Sequence, residues 1–322
     1  MTDSAIDPLA AGWAALAALP RPTLTELFAG GDRLARLSTT LDLPGGPIRF
    51  DWSKTHLDEA HLAGFERLAE AAGLAERRRA LFAGEAVNLT EGRAAEHTAQ
   101  RGLGAGASVE EVVEYHARMH MLVEAIHGGA LGDVRHLIHI GIGGSALGPA
   151  LALGVLAGDN PLVDVHVVSN IDGLALEAAF EACDPQTTMI AVASKTFTTI
   201  ETLTNALSAL DWLRRNGVGD PYGRIVALTA APAKALEWGV DETRILPFRE
   251  AVGGRYSLWS SIGFPVALAI GWDEFAEMLE GAAAMDQHFL DTDGADNLPL
   301  RAAFADQLYT RLRGCQTRAV FA

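Results

Sequence analysis

Residues 194–199 gather four hydroxyls and one ammonium group where a predicted strand gives way to a helix. The segment reads Ser-Lys-Thr-Phe-Thr-Thr and follows the apolar run 189–193. Behind it, Ile200, Leu203 and Leu207 recur at spacings that predict an amphipathic helix. The first N–H groups of a helix lack internal partners and carry partial positive charge, so hydroxyls and a lysine there favour a phosphate site. The alternative, which one helix end alone would favour, is a threonine-rich N-cap with only a local role.

A glycine-rich segment, 141–149, follows an earlier predicted strand. Its glycines let the backbone approach a ligand closely, and Ser145 can cap the helix that follows. A dinucleotide-binding loop is the alternative for this segment. The glycines do not give the G-x-G-x-x-G spacing, and position 165 is valine where an acidic residue is wanted, so NAD binding is not favoured. This loop and 194–199, at successive strand ends of one sheet, form a stronger signal together than either does alone.

A third loop, 253–260, places Arg255 directly after two glycines. Tyr256, Leu258 and Trp259 follow, and these apolar neighbours predict that the loop lies against the core. A guanidinium group is planar, permanently charged and rich in donors, which suits a phosphate or a developing enolate oxygen. A helix is expected to begin near Ser257. A surface arginine in a glycine loop is the alternative.

The predicted secondary structure that must position these loops changes near residue 135. The earlier part is mostly helical, with a short strand expected over 48–52. The later part alternates short apolar runs with helical segments, which predicts a parallel sheet covered by helices on both faces. The predicted strands are 137–142, 165–169, 188–193, 224–228 and 244–246. Ligands of such sheets bind beyond the carboxyl ends of the strands.

Two other segments carry predictions of their own. Residues 88–98 are dense in polar groups, and composition favours a capped helix with Arg93 and His97 on one face over a helix that buttresses a site. Near the end of the chain, a helix over 301–313 is followed by what is expected to be a strand from Thr317.

Composition limits the classes of function open to this chain of 322 residues. Its hydrophobic content of 49% is ordinary for a soluble globular protein. The formal net charge of −16 argues against nonspecific binding to nucleic acid or to an anionic membrane. No apolar run reaches membrane-spanning length and no basic region opens a secretory signal, so a cytoplasmic protein is expected. Cys183 and Cys315 lack metal-type spacing, which argues against a disulfide and against a zinc site.

Taken together, the segments 88–98, 141–149, 169–173, 194–202 and 253–259 resemble the signatures of the phosphoglucose isomerase family, and the similarity covers nearly the whole chain. The resemblance implies an α/β fold of the SIS type (flavodoxin-like): a five-stranded parallel sheet flanked by helices, preceded by a mostly helical N-terminal region. The implied domains are a helical region at 1–130, a sugar-phosphate-binding SIS domain at 131–295, and the start of a second SIS domain, otherwise largely absent, at 296–322.

The resemblance also implies roles for particular residues. Ser194, Lys195, Thr196 and Thr199 would hold a sugar phosphate, with Thr198 counted among the substrate-binding residues of the same loop. Gly144 and Ser145 would line the sugar, and Arg255 would stabilise an enediolate intermediate. The implied reaction is the aldose–ketose isomerisation of glucose 6-phosphate and fructose 6-phosphate, with no metal or other cofactor. The family also implies a homodimer.

One departure from the family pattern is large. The family's catalytic base is a glutamate in a Glu-Ser-Asn-Gly-Lys segment, and a ring-opening histidine and a late lysine also lie downstream; none of them has a match here. The expectation is therefore an isomerase that is incomplete at its C-terminus and inactive as this chain alone. A non-catalytic SIS-type sugar-phosphate-binding module is the alternative. A different sugar-phosphate isomerase of the same superfamily is a third interpretation, which the 253–259 signature disfavours.

Overall fold

The computed structural model describes residues 7–321. Its helices are α1 Pro8–Ala17, α2 Leu24–Phe28, α3 Arg33–Leu37, α4 Glu59–Ala71, α5 Leu74–Phe82, α6 Gly106–His127, α7 Gly144–Leu156, α8 Gly173–Ala182, α9 Ile200–Arg215, α10 Pro232–Trp238, α11 Phe264–Ile270, α12 Trp272–Asp291 and α13 Leu298–Gln307. Its strands are β1 Ser38–Leu43, β2 Gly46–Asp51, β3 His136–Gly141, β4 Asp164–Val168, β5 Thr188–Ala193, β6 Ile225–Thr229 and β7 Ile245–Pro247. Among the described residues, no helix is both long and apolar enough to cross a membrane.

Strands β3 to β7 form a single parallel sheet in the order β4-β3-β5-β6-β7. Counted along the chain this is the order 2-1-3-4-5 of flavodoxin-like sheets, so the predicted five-stranded parallel sheet is confirmed. The strand order reverses between β3 and β5. In open α/β sheets, ligands bind outside the carboxyl ends of the strands at this switch point. The loops that follow β3 and β5 are the glycine-rich and hydroxyl-rich segments.

Each face of the sheet carries its own apolar core, because successive side chains of a strand point to opposite faces. Leu137 and Met189 pack on one face with residues of α6, α7 and α11. Ile138 and Ile190 pack on the other with residues of α8, α9 and α10. Every residue of β5 is buried, which explains its continuous apolar sequence. Burial on both faces holds the strand ends, and therefore the loops, in fixed positions.

The sheet and its helices belong to one of two compact units, which comprises Leu81–Glu280. The other unit contains the described residues up to Ala80 and those from Gly281 onward. In that unit β1 and β2 pair as an antiparallel hairpin, and β2 contains most of the strand predicted at 48–52. Its core stacks Phe65 on Phe304 with ring centroids 5.3 Å apart.

Three local predictions were wrong. Residues 88–98 are not helical; a β-bridge between Asn88 and Arg93 closes a turn there. The helix expected near Ser257 is a 3-10 helix over Gly254–Trp259, and α11 begins only at Phe264. The strand expected from Thr317 is not formed: residues 315–321 have no regular secondary structure, and Phe321 is 94% exposed. A strand needs a hydrogen-bonded neighbouring strand, and no strand among the described residues pairs with this segment.

Candidate functional site

The glycine loop and the hydroxyl loop begin side by side. Gly141, the last residue of β3, pairs in register with Ala193, the last residue of β5. A Cβ atom at Gly141 would lie 3.1 Å from Ala193 Cβ and 3.1 Å from Ser145 Cβ. The chain after β3 therefore folds back over the end of its own strand, next to the end of β5. A side chain at position 141 would crowd both neighbours, so glycine suits this close approach.

A buried histidine supports the glycine loop from behind. His139 lies in the middle of β3 with no exposed surface, and its Nε2 donates to the carbonyl oxygen of Ser145 at 2.7 Å. Burial lowers the pKa of His139 to about 4, against the smaller opposing effect of this hydrogen bond, so the imidazole is neutral at pH 7. Sequence reasoning missed this residue, because a histidine within an apolar strand is more often a packing residue.

The hydroxyl loop is pinned by Phe197. Its φ of 51° is the only positive value at a non-glycine residue among residues 7–321, and its ring is buried against Trp238 at a centroid distance of 5.9 Å. Burying the ring offsets the cost of the left-handed conformation. On either side of it, Thr196 and Thr198 are exposed, and their hydroxyls are 2.7 Å apart. The loop therefore presents hydroxyls to solvent from a fixed backbone.

The N-terminus of α9 has donors to spare. Thr199 is the N-cap residue, but its hydroxyl bonds to Ser194 Oγ at 3.0 Å and does not cap the helix. In the first turn of the helix, the hydroxyl of Thr202 is buried and has no hydrogen-bond partner among the described residues. Uncapped N–H groups and an unpartnered hydroxyl at a helix start suit an anion. Thr202 was not among the predicted site residues, although its position in the first turn of the helix is a signal that could have found it.

The Arg255 loop packs directly against the glycine loop. A Cβ atom at Gly144 would lie 2.1 Å from the carbonyl carbon of Gly254 and 2.6 Å from the backbone nitrogen of Arg255. The side chain of Ser257 donates to Gly254 O at 2.7 Å and holds the 3-10 turn. Gly144 is thus required where two backbones touch. The guanidinium group of Arg255 is exposed and has no ion-pair partner within residues 7–321.

Residues 88–98 form an accessory loop that contacts the Arg255 loop and the residues just before it. Gly92 adopts a φ of 63° in the turn, and Arg93 forms an ion pair with Glu250 at 3.1 Å. The ring of His97 stacks on Tyr256 at a centroid distance of 5.0 Å. The predicted helix with Arg93 and His97 on one face is replaced by a loop that buttresses the Arg255 segment. Its dense polar content was the signal, and composition alone assigned it to the wrong structure.

A buried carboxylate anchors the accessory loop. Glu96 accepts hydrogen bonds from Arg249 Nε at 2.8 Å and from the hydroxyl of Ser108, and the backbone N–H of Glu96 donates to Ala251 O at 3.1 Å. Arg249 also pairs with Glu111. A buried charge is tolerated when it is paired and hydrogen-bonded in this way.

Positive charge collects at this edge of a strongly acidic chain. Burial lowers the pKa of Lys195, and the nearby Arg93 lowers it further, while Glu250 opposes both effects. Neither Lys195 nor Arg255 has a salt-bridge partner in the part of the chain that the structure describes. Arg93 is itself paired with Glu250 and Glu91, so the cations left without a carboxylate partner among the described residues of these loops are Lys195 and Arg255, and such groups attract an anionic ligand.

A sequence model of the family described as "Phosphoglucose isomerase" matches residues 51–322. The chain belongs to the phosphoglucose isomerase family. It is 71% identical over 310 residues to the glucose-6-phosphate isomerase of Novosphingobium aromaticivorans, covering 96% of this chain and 61% of that protein. It is 56% identical over 312 residues to the glucose-6-phosphate isomerase of Zymomonas mobilis, covering 97% of this chain and 61% of that protein.

The crystal structure of a glucose-6-phosphate isomerase from Chlamydia trachomatis has the same fold. It superposes with a TM-score of 0.81 at 25% identity and covers 95% of this chain and 60% of that one. The chain thus spans about three fifths of the length of the isomerases it matches.

Within this member of the isomerase family, the predicted site residues fall into two groups. Gly144 and Ser145 lie against the Arg255 loop, and Ser194 to Thr199 lie at the neighbouring strand end. Between the Arg255 side chain and the hydroxyl loop, the structure gives no direct contact among the described residues. The roles of these residues toward a ligand stay predictions.

Proposed function

We propose that this chain provides the sugar-phosphate-binding part of a glucose-6-phosphate isomerase, an enzyme of glycolysis and gluconeogenesis. The observation that carries the proposal is the convergence of the glycine loop and the hydroxyl loop at the switch point of the sheet, beside an uncapped helix N-terminus. Family membership supports it independently, since the relatives named above are glucose-6-phosphate isomerases.

The phosphate binds at the hydroxyl loop. Thr196 and Thr198 offer exposed hydroxyls, and Ser194 and Thr199 offer a hydroxyl pair at the start of α9. Lys195 supplies the positive charge. The first-turn N–H groups, which the Thr199 side chain does not cap, and the hydroxyl of Thr202, which has no partner among the described residues, add further donors. Hydrogen bonds to a charged acceptor are the stronger class, so this loop provides most of the affinity.

The sugar lies toward the glycine loop, near Gly144 and Ser145. During isomerisation a proton leaves C2 of the open-chain aldose and is delivered to C1 of the enediolate, and the reverse direction exchanges these positions. Arg255, whose guanidinium is unpaired and fixed at its base by the Gly144 contact, stabilises the negative charge that develops on the enediolate oxygens.

The proton-transferring base is not assigned to any residue of this chain. The sequence contains no Glu-Ser-Asn-Gly-Lys segment, and Glu250 is engaged with Arg93 at 3.1 Å. General acid–base catalysis typically contributes about a hundred- to ten-thousand-fold in rate. This 322-residue chain alone is therefore expected to bind the sugar phosphate and to isomerise it poorly or not at all.

Finer features follow the family as proposals: SIS-type domains at 131–295 and 296–322 after a helical region at 1–130, a cytoplasmic location, and a homodimer. One observation supports the cytoplasmic location and another supports the homodimer. Both cysteines are free, as in proteins of reducing compartments. Helix α7 exposes Leu147, Leu151 and Val155 one turn apart at 66%, 70% and 72%, an apolar stripe of the kind that another chain or segment covers.

A titration of fructose 6-phosphate against the 322-residue chain tests the proposal. Binding should depend on the phosphate, so unphosphorylated fructose should not compete. A Ser194→Ala, Thr199→Val double variant should lose about tenfold or more in affinity, because two hydroxyl donors to a charged group are removed.

The matched control lies on the same helix. Ser208→Ala with Thr204→Val removes two exposed hydroxyls of α9 that bond only to their own helix backbone. This variant should keep wild-type affinity. Undiminished binding by the Ser194, Thr199 variant, or equal losses in both double variants, would refute the phosphate assignment. Circular dichroism checks that both variants are folded.

A further inference from the structure

A second cluster of polar side chains lies at the amino end of the same sheet. His136 is the first residue of β3, and His166 lies on the neighbouring edge strand β4. Cys183 follows the last residue of α8. One ring nitrogen of each histidine and the sulfur of Cys183 all lie within 4.8 Å of one another. Within residues 7–321 no other group of three or more histidine, cysteine or acidic side chains has such a geometry.

Strand register fixes the two histidines. His136 pairs with Asp164, and Ile138 pairs with His166, so both imidazoles and the Asp164 carboxylate are on the same face of the sheet. His136 also pairs with Thr188 of β5 on its other side. The cluster therefore rests on backbone pairing between three adjacent strands. At about 3.3 Å per residue, it lies roughly 16 Å along β3 from the glycine loop.

The imidazoles are short of partners. His136 Nδ1 and His166 Nε2 are buried atoms without a hydrogen bond among the described residues. The two rings are 6.0 Å apart at an interplanar angle of 38°, which is not a stacked pair. Asp164 Oδ2 lies 3.5 Å from His166 Nε2. Buried polar nitrogens left unpaired call for an explanation, and a site for an ion is one of the usual ones.

The sulfur of Cys183 is placed as a ligand atom. The side chain is 8% exposed, and its sulfur lies within 4.8 Å of a ring nitrogen of each histidine. A metal ion binds cysteine as the thiolate, so binding at this position would release the thiol proton.

We propose that His136, His166 and Cys183 bind one divalent metal ion of the zinc type, with Asp164 beside them to take the fourth position. Two imidazoles, one thiolate and a carboxylate are ligands that Zn²⁺ accepts in tetrahedral sites. Tetrahedral bonds of zinc length place ligand atoms about 3.3–3.6 Å apart. In the structure these atoms lie within 4.8 Å of one another, so metal binding would draw them closer together.

The ion would act on the scaffold and not on the sugar site. It links the edge strand β4 to β3 and to the end of α8, at the end of the sheet away from the proposed substrate. The proposal is independent of the proposed function, because none of its residues belongs to the glycine, hydroxyl or Arg255 loops.

Titration of the metal-free 322-residue chain with Co²⁺, followed by displacement with Zn²⁺, tests the site. One equivalent of Co²⁺ should give a sulfur-to-metal charge-transfer band in the near ultraviolet together with the visible bands of tetrahedral Co²⁺. Cys183→Ser should abolish the charge-transfer band and weaken Zn²⁺ binding on the order of 100-fold or more. Zn²⁺ should also raise the Tm of the wild type, because it binds the folded state.

Cys315→Ser is the matched control, since it removes the other cysteine, which is exposed. It should leave the band, the stoichiometry and the Tm shift unchanged. His166→Gln provides a second test of the ligand set if Cys183→Ser does not fold, and it should weaken Zn²⁺ binding comparably. The proposal is overturned if the wild type takes up no Co²⁺ at one equivalent, or if the sulfur band is lost in Cys315→Ser but kept in Cys183→Ser.

Discussion

The strand-end loops and the accessory loop meet at the same site but are held by different forces. The glycine loop, 141–149, and the hydroxyl loop, 194–199, are fixed by backbone: strand register, a packing contact that leaves no room for a Cβ atom at Gly144, and a φ of 51° at Phe197. The accessory loop, 88–98, is fixed by side chains, chiefly the Glu96–Arg249 ion pair, the Arg93–Glu250 pair and the stacking of His97 on Tyr256.

Because the two regions are held differently, they should respond differently to mutation. A loop held by close backbone packing should tolerate the loss of a surface charge but not an added methyl group at the packed glycine. A loop held by ion pairs should be destabilised by the loss of a charge and should tolerate an added methyl group. The comparison also predicts which loop responds to salt, since ion pairs at partly exposed positions are screened and backbone contacts are not.

Gly144→Ala should have the largest effect. Its Cβ would lie 2.1 Å from a backbone carbon of Gly254, and no side-chain rotation relieves a clash between two backbones. We expect a stability loss of about 3 kcal/mol, with displacement of the Arg255 loop. Gly154→Ala is the control: it lies in the same helix with nothing within 4 Å of its Cβ, and it should be neutral or stabilising by up to about 1 kcal/mol.

Chemical denaturation measures both stabilities, and hydrogen exchange at residues 254–256 reports the loop. If Gly144→Ala were as stable as Gly154→Ala, the strand-end loops would not depend on close backbone fit, and the contrast between the two regions would fail.

The strand-end loops could be predicted from the sequence, and the structure of the accessory loop could not. Helix α9 begins at Ile200, where the apolar periodicity predicts a helix, and the predicted bounds of the five sheet strands agree with the structure within one residue, because both features depend on local periodicity and on turn residues. The glycine loop and the hydroxyl loop were predicted to lie at successive strand ends of one sheet, and the register of β3 with β5 places them there, since parallel strands bring their carboxyl ends together. These are consequences of local pattern and of sheet topology.

The accessory loop and the histidine–cysteine cluster could not be predicted in this way. Glu96 and Arg249 are 153 residues apart, so no local sequence pattern within 88–98 indicates the ion pair that anchors this segment as a loop. His136, His166 and Cys183 have no metal-type spacing, and only the register of β3 with β4 brings the two histidines together. Contacts of this kind depend on tertiary structure, which overrides local helix propensity.

Acid should destabilise the glycine loop through His139. The folded-state pKa is about 4 and the unfolded value is about 6.5, so the unfolded chain binds the proton more tightly. Stability therefore falls as pH drops below about 6.5 and goes on falling to about 4, by roughly 2 kcal/mol between pH 7 and pH 5 from this group. His139→Gln keeps a donor for Ser145 but does not titrate, so denaturation at the two pH values should show a smaller loss in the variant. An identical loss would mean that His139 does not contribute this dependence.

The accessory loop should respond most to Glu96→Gln. The change removes the charge from a carboxylate that is 6% exposed and leaves Arg249, 25% exposed, with Glu111 as its remaining ion-pair partner, so we expect a loss of about 1–2 kcal/mol. Glu91→Gln is the matched control on the same loop, since its pair with Arg93 is half exposed and should contribute less than about 0.5 kcal/mol. Because the Glu96 pair is partly shielded and the Glu91 pair is not, added salt should shrink the effect of Glu91→Gln more than that of Glu96→Gln. Equal effects for the two variants in low salt would show that stacking of His97 on Tyr256, and not charge, holds the loop.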